Sequence, residues 1–194
     1  MSGCNVLIAA GSEETGAGVS SMASEAGIKD ISLTDGANVR EVLGRKSYSV
    51  VILVLPLENE FGLEVASIVS RSTDSVLVVF APSKVYDEVC SKILKLGAIV
   101  VPKSASRSVA VNTVKYACEL KARNDEIKSE NRMLREMVNE MKLVSRAKCV
   151  LIEYLRITEK EAHRQIQKRA MDQRISLTEV AEDILKTYEY RKDN

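Results

Sequence analysis

The chain has 194 residues, 45% of them hydrophobic and 4% aromatic, with a formal net charge of +1. That length suits one domain of moderate size plus something small, and it can bury a real core. Near-neutral charge excludes a nucleic-acid arm driven by bulk basicity, and no apolar run approaches the roughly 20 residues that a membrane helix needs.

Apolar runs recur at Asn5–Ala10, Ile28–Leu33, Val50–Leu55, Val76–Ala81 and Ile99–Val101. Amphipathic or mixed segments lie between them at 15–26, 37–46, 61–71 and 84–96. Val6–Ala10 is too short for the apolar core of a signal peptide and has no basic residue before it, so a soluble cytoplasmic protein with no membrane contact is expected. Continuous Val/Ile/Leu-rich strands separated by helices predict a parallel sheet covered on both faces. Five such units predict an α/β flavodoxin-like domain, a five-stranded parallel sheet over residues 1–111. Asp35-Gly36 follows the second strand, Pro56 and Gly62-Leu63-Glu64 the third, Gly97-Ala98 precedes the fifth and Lys103 follows it. This set resembles the receiver domain of response regulators.

A working receiver needs carboxylates for Mg²⁺, an Asp acceptor and a hydroxyl that follows the phosphoryl group. Where the acidic pair belongs, after the first strand, stand Ala10 and Gly11. The acceptor position is Val54, and the hydroxyl position is Phe80, followed by Ala81. Lys103 alone remains. Glu13 and Glu14, with Glu58 and Glu60 as their only partners, supply no acceptor Asp. The domain therefore reads as a pseudo-receiver with a degenerate phosphorylation pocket. Gly11-Ser-Glu-Glu-Thr-Gly16-Ala-Gly18 also fails as a P-loop. Ala17 replaces its Lys and Gly18 its hydroxyl, and two Glu would repel a pyrophosphate.

From Ser106 to Leu155 there is neither Pro nor Gly, so one unbroken helix is expected. A heptad register runs through it. Thr113, Leu120, Ile127, Leu134 and Met141 fall at d; Ala117, Asn124, Asn131, Val138 and Ser145 fall at a. Leu at d with isolated Asn at a is the pattern of a parallel two-stranded coil. Residues 112–142 are read as a coiled-coil dimerisation helix, its contacts made by Leu120, Asn124, Ile127, Asn131, Leu134, Val138 and Met141.

The remainder, 143–190, predicts three short helices at about 143–155, 159–172 and 177–189. Thr158-x-x-Glu161 and Ser176-x-x-Glu179 are capping boxes at the starts of the last two. The apolar stripes Ala147/Val150/Leu151/Tyr154, Ala162/Ile166/Ala170 and Leu177/Val180/Ala181/Ile184/Leu185 close as a three-helix bundle. The order resembles the ANTAR module, the RNA-binding domain of transcription antitermination regulators. The match lies in Ala147-Lys148, Leu151, Glu153, Glu161-Ala162, Arg169-Ala170-Met171-Asp172, Leu177 and Val180-Ala181. Cys149 departs from the Gly carried by many members, but its small side chain keeps close packing possible.

Residues 139–194 hold 12 basic and 10 acidic side chains, so only a local basic face matters. Arg146, Lys148, Arg164, Lys168, Arg169 and Arg174, with Met171 as a stacking surface, form the expected RNA-binding set. Several of these cations are expected to converge on the groove between the first two helices of the module. The four cysteines, Cys4, Cys90, Cys118 and Cys149, are widely separated, with no C-x-x-C and no His partner, so all four are expected to be reduced. No catalytic constellation, metal site or cofactor is expected, and His163 has no orienting partner.

The resemblance implies an RNA-binding antiterminator that holds paired stem-loops of a leader transcript; the coil makes it a homodimer, and a sensor or ligand-binding protein is expected to act on the pseudo-receiver. A second reading keeps the pseudo-receiver and coil as a protein-interaction module without RNA binding. A third, a DNA-binding regulator, lacks the Gly-containing turn and long basic recognition helix of helix-turn-helix readers.

Overall fold

The structure, a computed structural model, describes residues 3–57 and 62–189. Two compact units divide the chain, residues 1–125 and 126–194. The first holds five parallel strands, β1 (Asn5–Ala10), β2 (Asp30–Thr34), β3 (Val50–Val54), β4 (Val76–Ala81) and β5 (Ile99–Pro102), in the order β2-β1-β3-β4-β5. Helices α1 (Glu13–Glu25), α2 (Val39–Arg45), α3 (Leu63–Ser72) and α4 (Tyr86–Ile93) connect them, and α5 (Arg107–Leu155) follows β5. This is the flavodoxin-like fold expected from the sequence.

The alternation of a strand places neighbours on opposite faces, and both faces here are dry. Val6, Ile8, Val50, Ile52 and Val78 pack with Val19 and Ala23 of α1 and with Val111, Val114 and Ala117 of α5. Leu7, Ala9, Val51, Leu53 and Val79 pack with Val39 of α2, Val65 and Val69 of α3, and Val89 and Ile93 of α4. Strands buried on both sides lose the polar alternation of a half-exposed strand, which is why they read as unbroken apolar runs.

Two boundaries differ from the sequence pattern. β2 begins at Asp30, not Ile28, because Gly27 (φ 88°) and Ile28 still close α1 by donating to the carbonyls of Ser24 and Ala23. Gly62 enters α3 at φ 69°, where an added Cβ would collide with the Leu55 side chain, so both conformation and space demand glycine.

Helix α5 is unbroken over 49 residues, as the lack of Pro and Gly predicts. Its first turns belong to the sheet, with Ala110, Val111, Val114, Ala117 and Cys118 buried in the first core and Leu120 packed beside them. Ala117 and Leu120, read above as coil positions, thus face the core of the first unit. A coil seam and a sheet-packing stripe share the same three-and-four spacing, so periodicity alone does not separate them.

One expectation is overturned. Cys4 and Cys118 are joined by a disulfide, with their Cα atoms 6.1 Å apart, whereas Cys90 and Cys149 are free. The two cysteines are separated by 114 residues in sequence, and only the packing of α5 beside the start of β1 brings them together.

The second unit contains the later part of α5, then α6 (Glu159–Gln173) and α7 (Leu177–Glu189). Ala147, Leu151, Ala162, Ile166, Ala170, Val180, Ala181, Ile184 and Leu185 make its core. Both capping boxes form. Thr158 accepts from the Glu161 N–H while its own N–H donates to the Glu161 carboxylate at 2.8 Å; Ser176 and Glu179 repeat the exchange, with 2.7 Å for the return bond.

These bonds to the ionised form pull both carboxyls below their ordinary pKa of 4.5, the backbone donor contributing first and the hydroxyl second. A lowered folded pKa means that the contribution is complete above pH 4.5 and disappears as pH falls through the folded values. Thermal scans of the full chain by circular dichroism are therefore expected to show acid destabilisation beginning below about pH 4.5, blunted in Glu161→Gln/Glu179→Gln. Identical acid curves for both proteins would remove the capping boxes as its cause.

Candidate nucleic-acid interface and degenerate acceptor pocket

On α6, Ala162, Ile166 and Ala170 face the core. Arg164, Lys168 and Met171 follow one another at i, i+4 and i+7, so they form one stripe on the opposite side of the helix. All three are exposed, Met171 at 78%. Among the described residues, Arg164 and Lys168 make no hydrogen bond or ion pair. Arg174, in the left-handed conformation (φ 56°), caps α6 through its backbone N–H while its side chain stays exposed.

The other expected cations are engaged. Lys148 of α5 reaches across to α6 and donates to Glu159 Oε1 at 2.6 Å, with only 21% of its side chain exposed. Glu159 is held below the usual carboxylate range by that hydrogen bond and by the attraction of the ammonium. Arg169 points to α7 instead, 3.8 Å from Asp183. Arg146 is exposed but also has an interaction partner. The groove between α5 and α6 therefore receives Lys148, whereas Arg164 and Lys168 lie on the far side of α6 and Arg169 on its α7 side. Glu159 and Asp183, the acidic partners, were missing from the expected set because pairing across a turn leaves no periodic signature. The ring contact of Tyr154 with Tyr188, centroids 4.9 Å apart, was likewise invisible.

Along α5, the outlying heptad positions are exposed: Ile127 46%, Leu134 53%, Val138 48% and Met141 72%, flanked by exposed Met133 and Met137. Asn124 and Asn131 are exposed as well, and the Asn131 amide donates back to the Ile127 carbonyl at 3.0 Å.

In the first unit, the three positions where receiver chemistry would sit align in one row. Ala10 pairs in register with Val54, and Val54 with Phe80. All three are buried. Beside them lies a cavity of about 270 Å³ lined by Gly11, Ser12, Thr15, Val54, Pro56, Leu57 and Lys103. Its polar lining is the Ser12 and Thr15 hydroxyls, 2.8 Å apart, and Lys103, whose pKa is pushed down by burial. Among the described residues, no carboxylate lines it and no group of three acidic, His or Cys side chains could hold a metal. Glu58 and Glu60 lie outside the described residues. Glu13 lines the adjoining cavity with Asp35.

Among described residues, no helix is long and apolar enough to cross a membrane. The ANTAR domain model matches residues 132–185. No curated protein sequence matches the chain. Among solved structures, NtrX from Brucella abortus superposes with a TM-score of 0.58 at 14% identity, covering 64% of this chain and 29% of that one. A two component transcriptional regulator AraC from Clostridium phytofermentans ISDg gives 0.55 at 15%, covering 63% and 98%. The beryllofluoride-activated NtrC4 receiver domain dimer gives 0.54 at 19%, covering 60% and 98%. At these identities the likeness is one of fold. Residues 132–185 thus match the ANTAR domain, and the N-terminal part of the chain has a receiver-like fold.

Proposed function

We propose that this protein is a homodimeric RNA-binding transcription antiterminator that holds paired stem-loops of a leader transcript. The observation that carries the reading is the ANTAR domain match over residues 132–185. The exposed cationic stripe of Arg164 and Lys168, with Met171 beside it, supports it. Phosphates pair with the cations, and an unpaired loop base stacks on Met171 or an Arg plane. Two modules on one dimer raise the effective concentration at the second stem-loop, on the order of 10²-fold in affinity over a single site. The test is fluorescence anisotropy of the full chain with RNAs carrying two hairpins, one hairpin, or a scrambled stem. Equal affinity for all three would reject paired-loop recognition.

The apolar row Ala10, Val54 and Phe80 supports control without phosphorylation, since nothing in it accepts a phosphoryl group or binds Mg²⁺. Acetyl phosphate or beryllofluoride with Mg²⁺ is expected to leave intact mass, sedimentation and RNA affinity unchanged. A stoichiometric phospho-aspartate in the mass spectrum would restore an active receiver. Control then falls to a sensor or ligand-binding protein acting on the pseudo-receiver, in the cytoplasm.

One observation favours the second reading, a protein-interaction module without RNA binding. Lys148 and Arg169 are already matched with Glu159 and Asp183, which lowers the positive field that those cations present. Binding that shows no salt dependence would support it, because phosphate contacts release counterions.

A further inference from the structure

Disulfides are rare in reducing cytosol, and those that form there are mostly transient and redox-sensing. An intracellular RNA-binding regulator, the function proposed above, has little use for a permanent one. The Cys4–Cys118 bond therefore calls for a role other than static support. Its position suggests which. Cys118 is the last buried residue of α5 within the first unit, after Val111, Val114 and Ala117. Beyond it, only half-buried Leu120 still packs on the first core. The Lys121–Asp125 ion pair lies within the helix, while the Lys121 side chain, 13% exposed, also packs into clefts that Asn5 and Ser49 help to line. Asn124, where the exposed part of the heptad seam begins, is within two turns of Cys118 on the same helix. A cleft of about 240 Å³, lined by Cys4, Cys118, Ser49 and Lys121 among others, opens the sulfurs to a small molecule.

We propose that Cys4 and Cys118 form a reversible thiol–disulfide switch that sets how firmly α5 is held over residues 118–125, the approach to the seam. The oxidant is a small disulfide of the glutathione class. The Cys4 thiolate, the more accessible of the two, attacks it and forms a mixed disulfide, releasing one small thiol. The Cys118 thiolate then attacks the Cys4 sulfur, closes the protein bond and releases the second small thiol. Reduction reverses both steps: two small thiols give up two electrons and leave as their disulfide, while each cysteine gains a proton. Closed, the bond ties α5 to Cys4, the residue immediately before β1. Open, residues 118–125 are retained by Leu120, by the largely buried Lys121 side chain and by the continuity of the helix.

The test uses the full chain in buffers of stepped reduced-to-oxidised glutathione ratio. Denaturing alkylation and intact mass count the thiols, and hydrogen exchange reports on the backbone. Two thiols, Cys90 and Cys149, are expected under oxidising ratios and four under reducing ones, with full reversibility. Amides of 118–125 should exchange about tenfold faster once the bond opens, a local loosening rather than global unfolding. Cys118→Ser should show the faster exchange at every ratio, and Cys90→Ser should respond like the native chain. Should Cys118→Ser fold poorly, native protein reduced and alkylated under mild conditions serves in its place. Four thiols at every ratio, or a bond whose opening leaves exchange at 118–125 unchanged, would overturn the switch. Neither readout involves RNA, so a failed antiterminator reading leaves the result interpretable.

Discussion

Replacing both Ile127 and Leu134 with Asp is expected to leave the full chain monomeric in sedimentation equilibrium. These two residues, with Val138 and Met141, are the large apolar side chains that α5 exposes at a and d. Removing a buried Ile or Leu costs about 2–5 kcal/mol per site. In a symmetric dimer each change counts twice, and each places an unpaired carboxylate against its twin. A dimer of micromolar Kd is held by about 8 kcal/mol in total, so four such losses exceed it. The seam starts from little, because Ala117 and Leu120 are spent on the first core and Asn124 and Asn131 weaken two of the a positions. Helical content of the second unit should survive, since Ala147, Leu151, Ile166 and Val180 are untouched. An unchanged dimer would place the interface elsewhere.

What was legible in the sequence follows from how local each signal is. Five strands announced themselves because parallel strands buried on both faces are uninterrupted runs of Val, Ile and Leu. The two capping boxes were legible because a hydroxyl and a Glu three residues apart need no distant partner. The row of Ala10, Val54 and Phe80 came from counting to the ends of strands. The Cys4–Cys118 bond did not show, because only tertiary packing brings the start of β1 beside α5. Leu120 was drawn into the coil for a related reason: a helix stripe tells that something covers it, not what. The direction of Arg169 also escaped, since a position beside the core stripe leans toward one neighbour or the other according to which carboxylate is there. Asp183 on α7 decides it.

Charge reversal of the outward stripe, Arg164→Glu with Lys168→Glu, is expected to weaken stem-loop binding on the order of a hundredfold and to reduce the salt slope by about two. Both side chains are exposed and make no ion pair among the described residues, so a phosphate meets them without displacing a partner. Lys148→Ala and Arg169→Ala are each expected to cost about tenfold in affinity, as for single phosphate contacts. Their partners give a further reading. Opening a pair with Glu159 or Asp183 is part of the binding reaction, so Glu159→Gln should tighten RNA binding by freeing Lys148. If Lys148 serves only to tie α5 to the start of α6, Glu159→Gln should instead lower the melting temperature and leave RNA affinity alone. Fluorescence anisotropy across a salt series, alongside thermal scans of the same variants, separates the two. Tight, salt-dependent binding that persists in the double reversal would remove the α6 stripe from the interface. Contact would then pass to α7, or to the Tyr154–Tyr188 pair at the ends of α5 and α7, where a loop base could stack on an aromatic ring.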